Sequence, residues 1–376
     1  MMRHNDTHLI KEELFRRIEA LCAKLLPPPP GRNGRQGRLW VAHNPITKDY
    51  DQTPEFKVAL TRDIGAWKDW RTGEKGDVIG LIEYVKRCDF REALEFARDF
   101  TGLRQMDPAQ KRRLEARAED NRQQAAQDAA AKDLERMRQA ERLWERGFQD
   151  GAKSAAEAMA GRYFAARGIP LEDIANRDLA TFRFTAAQEF WKRAQFRHQN
   201  GRRVKVQAGP EFPCIYSAMR LATGQIAAVH MTFLDPLGPR KLPVDRGNDE
   251  NSKIMFGVSA GAVIRISHGP EGVPPEMARE AHPLIMGEGI ETTASVAIGA
   301  PEARAWAAGS LSNMLTAPVW LPCVSQIVLL RDHFKHKTTE AQFARVCEAM
   351  EASGKPWTAI DSHVGNDFND LMKGDV

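Results

Sequence analysis

The sequence predicts a multidomain α+β chain that ends in an open α/β sheet, and three observations carry that expectation. From Pro283 onward, short apolar runs stop abruptly at acids: Leu284-Ile285-Met286 gives way to Gly287, Glu288 and Gly289, and Val324 to Leu330 to Arg331 and Asp332. Before them, Phe182 to Phe184, Cys214 to Met219, Ile226 to Leu234 and Ala262 to Ile266 read as strands divided by turns such as Asp235-Pro236-Leu237-Gly238. In front of those lies a charged, glycine-poor stretch that separates them from a small N-terminal unit. Acids at the carboxyl ends of parallel strands converge on one edge of an open sheet, where ligands bind. A few such carboxylates are what magnesium needs.

At 376 residues, 42% apolar and 28% charged, the chain is long enough for two or three globular domains. Its net charge of +4 permits a polyanionic partner without demanding one. Cys22, Cys88, Cys214, Cys323 and Cys347 are scattered and form no Cys-x-x-Cys pair, so neither a disulfide framework nor a standard zinc site is visible. The N-terminus is charged and amphipathic, and no run approaches the roughly 18 apolar residues of a membrane span. The expectation is a cytoplasmic protein with no membrane partner. The sequence contains no Walker A loop, Gly-x-Ser-x-Gly elbow or His-Glu-x-x-His helix. Gly257 to Gly261 reads as a turn.

Apolar residues at Leu9, Ile10, Leu14, Ile18, Leu21, Cys22, Leu25 and Leu26 have helical spacing and predict one opening helix over residues 7–26. Pro27 to Pro30 end it, and the basic, glycine-punctuated run from Gly31 to Arg38 is either a solvated connector or a segment lying along phosphates. Residues 77–103 predict a further helix closed by Gly102. From Lys111 to Asp150 ten basic and nine acidic residues stand among alanines and glutamines, without sustained apolar heptads. This reads as a helical tether. Tyr163 to Pro170 is an aromatic helix end with a glycine stop and a proline beyond it.

The unit from Leu39 to Gly102 resembles the zinc-binding module at the front of DnaG-type bacterial primases, with its ligands replaced. Trp40 and His43 stand where that family has Cys-x-x-His, Thr53-Pro54-Glu55-Phe56 matches its middle segment, and Trp67 and Trp70 stand at its Cys-x-x-Cys. Only His43 survives of the ligands. Structural zinc takes about four nitrogen or sulfur donors, so no zinc is expected. The tryptophans can act by apolar burial, each hiding roughly 150–250 Å². Alternatively Trp67 and Trp70, beside Lys68, Arg71 and Lys75, stack on single-stranded bases.

The rest resembles the same family's catalytic core. Arg167-Gly168-Ile169 matches its Arg-Gly-Ile segment, and Thr232 to Lys241, with Lys253 beyond, matches its lysine-bearing strand and turn. The resemblance implies that Arg167, Lys241 and Lys253 face template and nucleotide. Residues 283–371 resemble a Toprim domain: strand then Glu288-Gly289, a strand near Ala305, strand then Asp332, strand Trp357 to Ile360, and a closing Gly365-Asn366-Asp367-Phe368-Asn369-Asp370-Leu371, close to the ending of primase-like proteins of plasmids and mobile elements. The implied organisation is a degenerate zinc-ribbon-like module (1–104), a helical linker (105–154), the N-terminal part of a primase-like RNA-polymerase core (155–282) and a Rossmann-like Toprim domain (283–376).

By this resemblance Glu288, Asp332 and Asp367 are catalytic carboxylates that hold Mg2+ or Mn2+ with Asp370, and Glu291 is a further or outer ligand. The metals serve a two-metal transfer of nucleotides to a 3′-hydroxyl. Implied partners are single-stranded DNA, nucleoside triphosphates and a replicative helicase. One departure stands out: the family's Asp-x-Asp is here Asp332-His333-Phe334, and phenylalanine cannot bind a cation. Two other readings therefore stand beside the primase: a catalytically impaired Toprim nucleic-acid-binding accessory protein, and a Toprim nuclease.

Overall fold

The computed structural model describes residues 6–26, 34–47, 53–103, 108–147, 153–199, 202–245, 247, 250–332 and 337–362. The chain divides into two compact units, residues 1–129 and 130–376. Among the described residues, no helix is long and apolar enough to cross a membrane.

The first unit opens with two helices instead of the one expected, α1 (Asp6–Arg16) and α2 (Ile18–Leu25). Arg17 leaves helical geometry at φ −111° and ψ 21°, which lets both helices turn apolar faces inward. Five short antiparallel strands follow in sequence order: β1 (Arg35–Gln36), β2 (Leu39–Ala42), β3 (Phe56–Ala59), β4 (Trp67–Asp69) and β5 (Lys75–Gly76). The helix expected over residues 77–103 is also two, α3 (Val78–Lys86) and α4 (Phe90–Thr101). Arg87 adopts the left-handed region (φ 51°) and stops α3, and a capping box starts α4, in which Asp89 accepts from Glu92 N–H and Glu92 from Asp89 N–H.

Alternation along β4 decides the roles of the two tryptophans. Trp67 is 6% exposed and stacks on Phe56 at 5.0 Å between ring centroids, and Tyr84, 4.7 Å from Trp67 and 5.9 Å from Phe56, completes a three-ring cluster. This corrects the base-stacking expectation for Trp67: its indole is core. Trp40 is likewise buried, and its Nε1 donates to Leu26 O. Trp70 lies past the strand's end, 60% exposed, with Lys68 Nζ 3.7 Å from its ring centroid. Arg71 is also at the surface; its backbone N–H donates to Asp69 and its guanidinium to Thr53 O.

A polar clasp joins the turns of this sheet. Asn44 Nδ2 donates to Asp69 Oδ2 and to the Tyr84 hydroxyl, while Asn44 Oδ1 accepts from Ile46 N–H. Asp69 is buried, so losing a donor leaves its carboxylate short of partners. Asn44→Ala is expected to destabilise this unit by about 1–3 kcal/mol, read as a lower urea midpoint of its unfolding transition.

Helix α5 (Pro108–Arg146) crosses from the first unit into the second. In the second unit α6 (Lys153–Ala165) precedes β6 (Phe182–Glu189), β7 (Gln195–Gln199), β8 (Arg202–Gln207), β9 (Glu211–Arg220), β10 (Ile226–Phe233), β11 (Lys253–Gly257) and β12 (Val263–Ser267). Then come β13 (His282–Gly287), α7 (Ile290–Ile298), β14 (Arg304–Ala307), α8 (Leu311–Met314), β15 (Val324–Arg331), α9 (Lys337–Ala352) and β16 (Trp357–Asp361). The main sheet runs β11-β10-β9-β12-β14-β13-β15-β16, with β6 pairing on β9. Its first half is antiparallel; β14, β13, β15 and β16 are parallel, as the acid-ended apolar runs predict. Ile290, Ala294 and Ala297 of α7 pack on Ile264, Ile266, Ala305 and Ala307, and the opposite face buries Leu284, Met286, Trp306 and Leu329 against Phe343, Val346 and Met350 of α9. Both faces are covered, which is why the parallel strands read as near-continuous apolar runs.

Candidate functional site

The chain leaves β13 toward β14 on one side, and later returns to place β15 on the other. That reversal opens a crevice at the carboxyl end of β13, the usual ligand position in such sheets. Glu288 is the first residue after β13 and Asp332 the first after β15. Both line a cleft of about 430 Å³ together with Arg167, His230, Lys241, Asn251, Lys253 and Ser310. Gly309 closes one wall: its φ is +82°, its N–H donates to Glu288 O at 2.8 Å, and a Cβ there would lie 3.1 Å from Met255 Sδ. A side chain at this position would therefore be strained and crowded.

The cleft brings together six of the residues singled out by sequence: Arg167, Lys241, Lys253, Glu288, Glu291 and Asp332. Arg167 follows α6, its guanidinium 5.2 Å from the Tyr163 ring centroid. Lys241 ends the turn after β10, and Lys253 begins β11. Asp332 Oδ1 accepts from the Thr292 hydroxyl at 3.5 Å. Burial pushes the Glu288 carboxyl above its ordinary range, only partly opposed by Lys253. Asp367, Asp370, His333 and Phe334 lie outside the described residues. Trp70 and Arg71 belong to the first unit.

Glu291, expected as an outer or second-metal candidate, is engaged with three side chains. It is 6% exposed, and its carboxylate meets Lys241 Nζ at 2.9 Å and Lys253 Nζ at 3.2 Å while accepting from the Tyr163 hydroxyl at 2.5 Å. Burial alone would raise its pKa; Lys253, Lys241 and the tyrosine outweigh burial and hold it well below the carboxylate range. Burial lowers Lys241 to about 8 despite Glu291, whereas at Lys253 the Glu291 charge overcomes burial and keeps the ammonium protonated. The ion cluster thus fixes two cations at the cleft wall through an anion that is itself spent. His230 and Asn251, which line the cleft, and Tyr163, buried behind Glu291, are residues that sequence reasoning missed.

His230, on β10, is 3% exposed, and its Nδ1 has no hydrogen-bond partner among the described residues. Burial, then Lys253, push its pKa down to about 3, so the folded chain holds it neutral. An unfolded histidine titrates near 6.5. Between these values the unfolded state binds the extra proton, so stability falls as pH drops, by about 2 kcal/mol at pH 5 from this residue. His230→Gln is expected to flatten that dependence, measured as urea midpoints at pH 7.5 and pH 5.

A family model described as a Toprim domain matches residues 283–375, and one described as a domain of unknown function (DUF7146) matches residues 134–266. Among curated proteins, none matches the sequence. Solved structures that resemble the chain include the zinc-binding and RNA polymerase domains of Aquifex aeolicus primase, at 13% identity, covering 97% of this chain and 82% of that one with a TM-score of 0.34. The E. coli primase catalytic core covers 64% of this chain and 75% of its own at 12% identity, TM-score 0.39. A DnaG primase catalytic domain bound to single-stranded DNA covers 65% and 78% at 13% identity, TM-score 0.41. By its parallel strands, the two acids at their carboxyl ends and the match over residues 283–375, the C-terminal part of this chain is a Toprim domain.

Proposed function

We propose that the cleft binds a nucleoside triphosphate with a divalent cation, and that the chain is a primase-like nucleotidyltransferase making short primers on single-stranded DNA. The observation that supports this most is the meeting of Arg167, Lys241 and Lys253, from the half preceding the Toprim domain, with Glu288 and Asp332 in one cleft. Three cations face three carboxylates there once Glu291 is counted, so the protein's own charges nearly cancel. A polyanionic triphosphate then gains most if divalent cations enter with it.

The donors present fit magnesium or manganese. Among the described residues no cluster of three or more His, Cys, Asp or Glu offers an all-protein cage. Magnesium does not need one: it binds through one or two carboxylates, waters and substrate phosphates. Glu288 and Asp332 would hold it, with Asp367 and Asp370 as further candidates. When bound, the metal supplies neutralisation of the charge that develops as pyrophosphate leaves. Lys241, Lys253 and Arg167 pair with phosphate oxygens, Glu291 and Tyr163 hold the two lysines in place, and Gly309 leaves room above the strand ends. In the first unit, Trp70 beside Lys57, Lys68 and Arg71 presents an aromatic face and cations to an unstacked base. A replicative helicase partner and a mobile-element setting belong to the same reading.

The test is primer synthesis on single-stranded DNA with labelled nucleotides and magnesium or manganese. Short, metal-dependent products are expected. Phe334, standing where the family has the second acid of Asp-x-Asp, favours a second reading, an accessory protein that binds nucleic acid without polymerising. No product, together with retained and salt-sensitive single-strand binding, would leave that reading in place of the first.

A further inference from the structure

The segment between β6 and β9 forms a two-stranded ribbon outside the main sheet. From Phe190 to Pro210 the sequence holds Lys192, Arg193, Arg197, Arg202, Arg203 and Lys205 and no acid. β7 and β8 pair antiparallel, with Arg197 opposite Val204 and Phe196 opposite Lys205, and neither strand joins the main sheet. An isolated hairpin is marginal in water, so its root must be secured. Phe190 N–H donates to Pro210 O at 2.8 Å, Gly209 N–H donates to Glu189 at 2.9 Å, and Lys205 Nζ reaches the same carboxylate at 2.8 Å. Arg193 makes a two-pronged pair with Glu250, both bonds 2.9 Å. A Cβ on Gly209 would lie 2.3 Å from Phe190 O, so only glycine fits this close crossing.

Glu189 and Glu250 are thus committed at its root. Along the shaft, Arg197 and Arg203 have no acidic partner among the described residues, and they sit on opposite faces. Residues paired directly across strands share a face: Arg203 is on the face of Phe196, its guanidinium 3.8 Å from that ring's centroid, and Arg197 is on the face of Val204. Ordinary solvated faces mix charge signs. A single-sign ribbon with cations on both faces repels itself until a polyanion surrounds it.

We propose that this ribbon binds duplex DNA, entering the major groove and meeting phosphates on both walls. The major groove of B-form DNA, roughly 12 Å wide, admits a two-stranded β-ribbon. The six residues of β8 span about 20 Å at about 3.4 Å each, enough to follow the groove. Val204 and Val206, 39% and 45% exposed, offer apolar contacts of the kind thymine methyls accept. Single-strand binders present open aromatic faces for stacking; here the Phe196 ring is already covered by Arg203. This surface is independent of any chemistry in the cleft.

The test is fluorescence anisotropy of the full chain with a labelled 20-base-pair duplex and the corresponding 20-nucleotide single strand across a salt series. Arg197→Glu with Arg203→Glu is expected to weaken duplex binding at least about tenfold while single-strand affinity and thermal melting stay unchanged. The milder pair Arg197→Gln with Arg203→Gln is expected to reduce the slope of log affinity against log salt by about 1.8, for two phosphate contacts. Glu288→Gln is expected to leave duplex affinity unchanged, which separates this result from failure of the primase reading. Unchanged duplex affinity in both double variants overturns the proposal, and so does an equal loss of single-strand affinity.

Discussion

Glu291→Ala is expected to destabilise the unit of residues 130–376 by about 3–5 kcal/mol, the usual effect of removing one partner from a buried ion cluster. The carboxylate holds Lys241 and Lys253 at 2.9 and 3.2 Å and accepts from Tyr163. Its removal leaves two ammonium groups facing each other in a largely desolvated wall, and the Tyr163 hydroxyl without its acceptor. Glu291→Gln keeps an acceptor for the tyrosine but not the charge, so it should fall between wild type and Ala. Replacing Glu291, Lys241 and Lys253 together by Leu and Met removes the repulsion, and should recover most of the lost stability. Urea unfolding of the full chain, followed as two transitions, reads the effect. A Glu291→Ala midpoint equal to wild type would show that the cluster contributes nothing to the fold. The same substitutions separate holding the lysines from ligating a metal, because a ligand role predicts loss of metal-dependent activity with the fold intact.

The parallel strands were legible because burial on both faces makes them apolar runs, and because each candidate acid follows its run at once. Leu284 to Met286 before Glu288 and Val324 to Leu330 before Asp332 carry that signal, and both are strands. Partners contributed from afar were not legible. Glu291 stands three residues after Glu288 and looks like a second ligand, but which cations it meets depends on strands that bring Lys241 and Lys253 across from elsewhere in the chain. Trp67 and Trp70 show the limit of spacing alone: alternation sends Trp67 inward with Asp69, and the strand ends before Trp70. Periodicity also hid the breaks at Arg17 and Arg87, since apolar stripes continue across them. The β7–β8 ribbon was missed because it buries no face. Its Asn200-Gly201 dipeptide was a readable hairpin signal, as Asp89-x-x-Glu92 was for a helix start.

Glu288→Gln and Asp332→Asn are each expected to lower primer synthesis by about 10²–10³-fold or more, the range seen when one group stabilising transition-state charge is removed. The substitutions keep size and hydrogen-bonding capacity and remove only the negative charge, so nucleic-acid affinity and unfolding midpoints should remain near wild type. The two need not be equal. Glu288 is held above the ordinary carboxylate range by burial, so its charge is already disfavoured without a cation, and neutralising it should raise the intrinsic stability slightly. Asp332 is expected to be the more sensitive of the two. The residue two places on is Phe334, so no second acid of that motif can take over its load. Lys253→Met provides the contrast, because a group that pairs with phosphate should raise the nucleotide KM more than it lowers kcat. Raising manganese tests the assignment directly: partial rescue of Asp332→Asn but not of Lys253→Met fits a metal ligand beside a phosphate contact. Full activity in both carboxylate variants would remove Glu288 and Asp332 from the chemistry and leave the cleft as a binding site alone.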